Sequence, residues 1–232
     1  YVNKIDKDYF IKSFGVSNYE KKSPLNSIKN LILSYLLYKI KTKYKCSKNV
    51  ISAAEFIAKE LDVYVGYNHI KHVIIYEILS RLSLIKGLVC IIGDGDGFMG
   101  LLIKKLNPSI KILYVNIGKN LFSDIYCYSK IIIDSSPVLI SKKSQIEELD
   151  AKNVAFLEAE NYDLLRRAPI NLFINIDSMQ EMNPEIIINY FKLMRSSKEK
   201  SYFYCLNREK KVLPDGTMIN FNDYPWNNSK TM

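Results

Sequence analysis

The sequence predicts an α/β protein with a mostly parallel sheet and helices on both faces, and three observations carry that expectation. Leu88 to Gly100 reads LVCIIGDGDGFMG, an apolar run that breaks into alternating glycines and then into a helical stretch from Phe98. From Gly87 onward β-rich and helical runs alternate: LVCII, FMGLLIKKL, KILYVN, a helical Lys119 to Lys130, VAFLEA, NYDLLRR, NLFINID, PEIIINYFKLMR and YFYCLN. Up to about Ile85 only helical periods occur. Strands alternating with helices imply right-handed crossovers and a parallel sheet. The change of pattern places an N-terminal helical region over 1–86, read as a cap or oligomerisation arm, and a sheet domain over 87–232.

In the helical region Ser23-Pro24 offers a helix start, and Ile28, Leu31, Ile32, Tyr35 and Leu36 follow with a helical period. A second helix is expected from Ile51 to Leu61, ahead of Gly66. Asn68 is placed to cap a third, in which Ile70, Val73, Ile74 and Leu82 share a face. Pairing of such helices between copies would give a homo-oligomer. Beyond YFYCLN, the segment KKVLPDGTMINF holds two extended runs around Pro214-Asp215-Gly216, a turn signal that predicts a terminal hairpin or a loop with an edge strand.

Composition narrows the function classes. The formal charge is +9, yet of 33 basic residues 28 are Lys and five are Arg, spread along the chain rather than gathered. That pattern describes a solvated basic surface better than a nucleic-acid interface. Cys46, Cys90, Cys127 and Cys205 lie far apart with no CxxC pair, so neither a zinc site nor a disulfide framework is suggested, and reduced thiols fit a cytoplasmic protein. Ile28 to Ile40 is interrupted by Lys29, Asn30, Ser34 and Lys39, too polar for a membrane span, and no signal-peptide pattern is visible.

A strand that turns into a helix through glycines exposes backbone N–H groups beside the positive end of a helix dipole, which suits nucleotide-like cofactors. Gly95, Gly97 and Gly100 spell the GxGxxG of dinucleotide binders, whereas Gly93, Gly95 and Gly97 spell the GxGxG of S-adenosylmethionine binders. The loop alone leaves open an NAD(P)-dependent oxidoreductase, a methyltransferase and a non-catalytic binding domain. In parallel sheets ligands bind beyond the carboxyl ends of the strands, which places the chemistry after Ile92, Val115, Leu157, Ile176 and Leu206. An acid expected at the second strand's end is replaced by Asn116, which can donate and accept hydrogen bonds but lacks charge. The run INLFINIDSMQEMNPE puts Asn175, Asp177, Ser178, Gln180 and Glu181 directly after an apolar strand, with a fresh helix at Asn183-Pro184. So many polar groups are costly to bury without a purpose. His69 and His72, one helical turn apart, read either as surface or capping histidines or as joint metal ligands.

NIDSMQEMNPEIIINYFKLM, the following YFYCLNR, NDYPW near the end and IGDGDG upstream together resemble a family of sugar O-methyltransferases within the S-adenosylmethionine-dependent, Rossmann-like superfamily. The resemblance covers about Gly87 to Trp226. It implies a Rossmann-like methyltransferase fold, S-adenosylmethionine as cofactor and a sugar or glycan as substrate, in the modification of polysaccharides. It further implies that Gly93, Asp94, Gly95 and Gly97 cradle the cofactor's methionine and ribose portions, that Asn116 and Ile117 meet ribose and adenine, and that Glu158 bonds the adenine edge. Asn175 and Asp177 would face the reacting centre, with Asp177, then Glu181, then His69 in order as general base. Ser178, Tyr224 and Trp226 would contact the sugar, and Asp177 with Glu181 could hold a divalent ion of the kind some sugar methyltransferases use. The chain departs from the family at two positions, with Ile91 and Asn116 where acids are common.

Overall fold

A computed structural model describes residues 39, 43–63, 65–132, 137–142, 144–147, 153–196 and 200–226. The helix expected over Ile28 to Leu36 lies outside them. The elements in chain order are α1 (Lys48–Leu61), α2 (Tyr67–Arg81), β1 (Leu88–Ile92), α3 (Phe98–Leu106), β2 (Lys111–Asn116), α4 (Gly118–Ile131), β3 (Val138–Ile140), the one-turn α5 (Ser144–Glu147) and β4 (Val154–Glu158). A 3₁₀ segment (Ala159–Arg167), β5 (Ile170–Ile176), a 3₁₀ turn (Met179–Glu181), α6 (Pro184–Arg195), β6 (Tyr202–Leu206), β7 (Lys210–Val212), β8 (Met218–Asn220) and a 3₁₀ turn (Phe221–Asp223) follow. The fold is α/β and Rossmann-like, with six parallel strands in the order β3-β4-β2-β1-β5-β6. Among the described residues no helix is long and apolar enough to cross a membrane.

By contacts the chain divides into two units, one containing α1 to α4 and one containing the strands with α5 and α6. In the helical unit α1 buries Val50, Ala53, Ala54, Ile57, Ala58 and Leu61, a stripe at helical spacing in which three alanines permit close approach. Its N-terminus is closed by Ser47, whose hydroxyl accepts from Val50 N–H, while Glu77 of α2 accepts the Ser47 N–H. Helix α2 begins at Tyr67 with Gly66 as its N-cap, not at Asn68. The reason is His69: its Nδ1 accepts the Gly66 N–H at 3.0 Å, so an imidazole fills the place that Glu or Gln takes in a capping box. Lys104, buried near the end of α3, donates to the carbonyls of Pro108 (2.5 Å) and Ile110 (2.9 Å), closing the helix's exit with a cation.

In the sheet unit, strands carry apolar residues on both faces, as buried parallel strands do. Leu88, Cys90, Ile92, Leu113, Val115, Ala155, Leu157 and Phe173 share a core with Ile187, Tyr190, Phe191 and Met194 of α6. The alternate residues Val89, Ile91, Ile112, Tyr114, Phe156, Leu172 and Ile174 are buried as well. Each such side chain contributes roughly 1.5–3 kcal/mol. The β1–β5 pairing skips Asn171, and that residue's Oδ1 accepts the Leu88 N–H at 2.9 Å in place of a ladder bond. A Cβ on Gly87, which has φ +60°, would stand 1.9 Å from the same oxygen, so the bulge requires glycine there.

Strand β3 is an edge addition hidden in a stretch whose sequence shows no strand period. The C-terminal segment forms the expected hairpin, β7 antiparallel to β8, closed by Gly216 N–H to Leu213 O and by the Asp215 carboxylate accepting Thr217 N–H.

Candidate functional site

Neighbours β2 and β5 of the central strand β1 lead the chain in opposite directions across the sheet, so the switch in strand order lies at β1. A crevice forms beyond the carboxyl ends of strands at such a point. The described residues of the sheet unit bring five of the sequence-predicted positions to that edge: Gly93 and Asp94 follow β1, Asn116 and Ile117 end β2, and Glu158 ends β4, where it pairs in register with Asn116. Asn116 is buried and its Oδ1 accepts the Ile117 N–H at 3.0 Å. Ile117, the residue after Asn116, is 56% exposed, a large apolar side chain left in water. Ile91, the fourth residue of β1, pairs in register with Tyr114 and Ile174 and is buried.

At the ends of β5 and β6 the polar cluster read from NIDSMQEM is largely occupied with itself. Asn175, wholly buried, uses every hydrogen-bonding position of its amide: Nδ2 donates to Ile92 O (2.9 Å) and to Ser178 Oγ, while Oδ1 accepts from Met179 N–H (3.2 Å) and Asn207 Nδ2 (2.8 Å). Ser178 Oγ donates to the same Ile92 carbonyl at 2.8 Å. Gly93 passes so close that a Cβ would meet Ser178 Oγ at 2.3 Å, and its φ of +74° belongs to glycine. Gln180 is buried, with its N–H on Asn207 Oδ1 (3.1 Å) and its Oε1 accepting Arg208 N–H (2.7 Å). Asp177 holds a left-handed φ of +57° and donates its N–H to Leu206 O at 2.7 Å. Glu181 pairs with Lys211 of β7 at 2.9 Å.

Tyr224 and Trp226 lie in an aromatic cluster with Phe191, Phe203 and Phe221. The indole N–H donates to Phe221 O at 2.8 Å, Arg195 donates to Pro225 O, and Tyr224 is buried. Burial raises the Tyr224 phenol well above its ordinary value. Cys90 and Cys205 are strand residues whose thiols burial pushes up, Cys205 to about 12, and none of the four cysteines is in a disulfide.

Gly95, Gly97 and His69 belong to the helical unit. Gly95 and Gly97 both take positive φ, and Gly97 caps α3. His69 and His72 are buried rather than on the surface, and both rings lie against Phe98, at 4.3 and 5.8 Å between centroids. With Nδ1 accepting from Gly66, the neutral His69 ring carries its proton on Nε2, which lies 3.5 Å from Asp96 Oδ2. Asp96 Oδ1 accepts the Phe98 N–H at 3.1 Å. Burial alone would raise the Asp96 carboxyl, but the His69 hydrogen bond, the electrostatic influence of the His69 and His72 imidazoles and the Phe98 N–H outweigh it and hold the group below the ordinary carboxylate range.

Asn207, Asp96 and Lys211 escaped the sequence reading as site residues. Both acids of GDGDG stand in the glycine loop, where the resemblance points to Asp94 and not to Asp96, and Asn207 and Lys211 carry no local signal. No protein-family model and no curated protein matches the chain.

Proposed function

We propose that this chain is an S-adenosylmethionine-dependent methyltransferase acting on a sugar hydroxyl. The observation that supports it most is the exposed Ile117, directly after the Asn116 that pairs in register with Glu158, at the carboxyl edge of a Rossmann-like sheet. An apolar face, an amide and a carboxylate match the needs of an adenine ring, a ribose and a polar adenine edge, and Gly93 brings bare backbone to the same edge. The sugar acceptor rests on the resemblance carried by NIDSMQEM and YFYCLNR.

Bound there, the cofactor supplies an electrophilic methyl on a sulfonium. The chain's own tasks are alignment and proton removal. Asp177, on the turn after β5, would accept the proton of the sugar hydroxyl, the methyl passing to that oxygen and the demethylated thioether leaving. Asn116 and Glu158 would hold the nucleoside portion, and Ile117 would cover its ring.

Calorimetry with S-adenosylmethionine and its demethylated product tests the reading. Binding is expected, and Ile117→Ser or Glu158→Gln should weaken it by roughly a factor of five, ~1 kcal/mol, without moving the melting temperature. No binding at millimolar ligand, or preferential binding of a nicotinamide dinucleotide, would overturn it.

A further inference from the structure

We propose that Asn207 is a positioning residue that fixes the backbone presenting Asp177; the role rests on the methyltransferase reading of that site. The turn after β5 is irregular. Asp177 adopts a left-handed conformation that disfavours an ordinary side chain, and the 3₁₀ turn over Met179–Glu181 is too short to hold itself. Glu181 and Met182 donate within the turn, to Ser178 O and Met179 O, but three of its N–H groups are satisfied from outside: Asp177 by Leu206 O, Met179 by Asn175 Oδ1 and Gln180 by Asn207 Oδ1. Gln180 returns a bond to Arg208 N–H, so the turn and the residues following β6 clasp each other in both directions.

Asn207 joins the two halves of this arrangement. Its Oδ1 takes the Gln180 N–H, while its Nδ2 donates to Asn175 Oδ1 at 2.8 Å and lies 3.1 Å from Cys205 Sγ. One face of the amide must accept and the other must donate. Only an amide of this length does both, and through Asn175 the same network reaches Ile92 O beside Gly93. Asn207 acts on Asp177 through the backbone.

The sharpest test replaces that amide by its isostere. In Asn207→Asp the Gln180 bond survives, but an oxygen faces Asn175 Oδ1 where a donor stood, and protonating the carboxyl restores a donor. At about pH 7 the variant should lose about tenfold or more of the hydrogen-exchange protection at the amides of Asp177, Met179 and Gln180, and regain it near pH 5. Methyl transfer should follow the same profile, with kcat down about tenfold at neutral pH, recovery in acid relative to wild type, and affinity for the demethylated cofactor within about twofold. Asn207→Ala should show the neutral-pH losses with no recovery in acid. Unchanged protection at Asp177, a loss confined to Gln180, or the same pH profile in Asn207→Ala would overturn the inference. If the wild-type protein binds no cofactor, the methyltransferase reading fails and takes the site's function with it. The exchange data then separately decide whether Asn207 fixes the turn.

Discussion

Among the described residues two buried polar clusters differ in kind, one built of amides at the ends of β5 and β6, the other built around the Asp96 carboxylate and His69 in the helical unit. In the first, Asn175, Ser178, Gln180 and Asn207 exchange hydrogen bonds with each other and with the backbone, and no member carries a formal charge. In the second, an acid is held below its ordinary range by a histidine bond, two neighbouring imidazoles and a backbone N–H. The difference teaches what each can do. A saturated amide network offers geometry that does not change with pH, and its members have little left to give a ligand. An ionic cluster gives up its stabilisation when its protons change.

The largest expected effect strikes the amide network through Gly93→Ala. The substitution combines a left-handed conformation, costing roughly 1–2 kcal/mol, with a Cβ driven into Ser178, costing roughly 1–3 kcal/mol. A loss near 3 kcal/mol is expected, a fall of roughly 10 °C in melting temperature for a chain of this size. Gly95→Ala supplies the control, because at φ +81° a Cβ there meets nothing within 4 Å. It should cost only the conformational part, about 1 kcal/mol. Equal losses in the two variants would show that the Ser178 contact relaxes freely and that the network is softer than its hydrogen bonds imply.

The ionic cluster is probed by Asp96→Asn across a pH series. The folded carboxyl titrates below its ordinary value of 3.8. The unfolded chain therefore takes up its proton first as pH falls. Its stabilisation is fully present above that ordinary value and is lost as pH drops through the lower folded one. Asn keeps the bond from Phe98 N–H while removing the charge, so a cost of about 1 kcal/mol at neutral pH and a flatter acid limb of the stability curve are expected from denaturant titrations. An unchanged acid limb would place the protein's acid sensitivity elsewhere and strip the cluster of its titratable character.

The same contrast explains what could be read from the sequence. The strand–glycine–helix turn was legible because Leu88 to Ile92 and Phe98 to Leu106 show unbroken local patterns, and the hairpin was legible from Pro-Asp-Gly. The parallel α/β order followed from alternation. Strand β3 was not, since three residues at a sheet edge have too short a period to see, and the Gly66 cap was masked because its partner is a histidine three residues on. Asn175 could be identified as a buried polar residue with a purpose, but not what it bonds. Two of its four partners, Ser178 and Met179, lie within four residues, but Ile92 is 83 residues away on β1 and Asn207 is 32 residues away, just beyond β6. Hydrogen-bond saturation is a property of the folded backbone and leaves no composition behind.

The smallest stability effect belongs to Glu181, whose carboxylate meets Lys211 of β7. Its carboxylate lies 2.9 Å from Lys211 Nζ with both side chains partly in water, at 50% and 28% exposure. Such a pair contributes a few tenths of a kcal/mol, less in salt. Glu181→Gln should therefore shift the denaturation midpoint by no more than about 0.5 kcal/mol, and its value as an experiment lies in catalysis. A group that removes the substrate proton is worth about a hundredfold or more in rate. Asp177→Asn should lose that factor, whereas Glu181→Gln should keep transfer within about threefold, because its carboxylate is committed to Lys211. A reversal of the two variants would move proton removal from the strained turn to the 3₁₀ turn beside β7. The amide network would then serve the alignment of Glu181 through Gln180, its immediate neighbour, rather than that of Asp177.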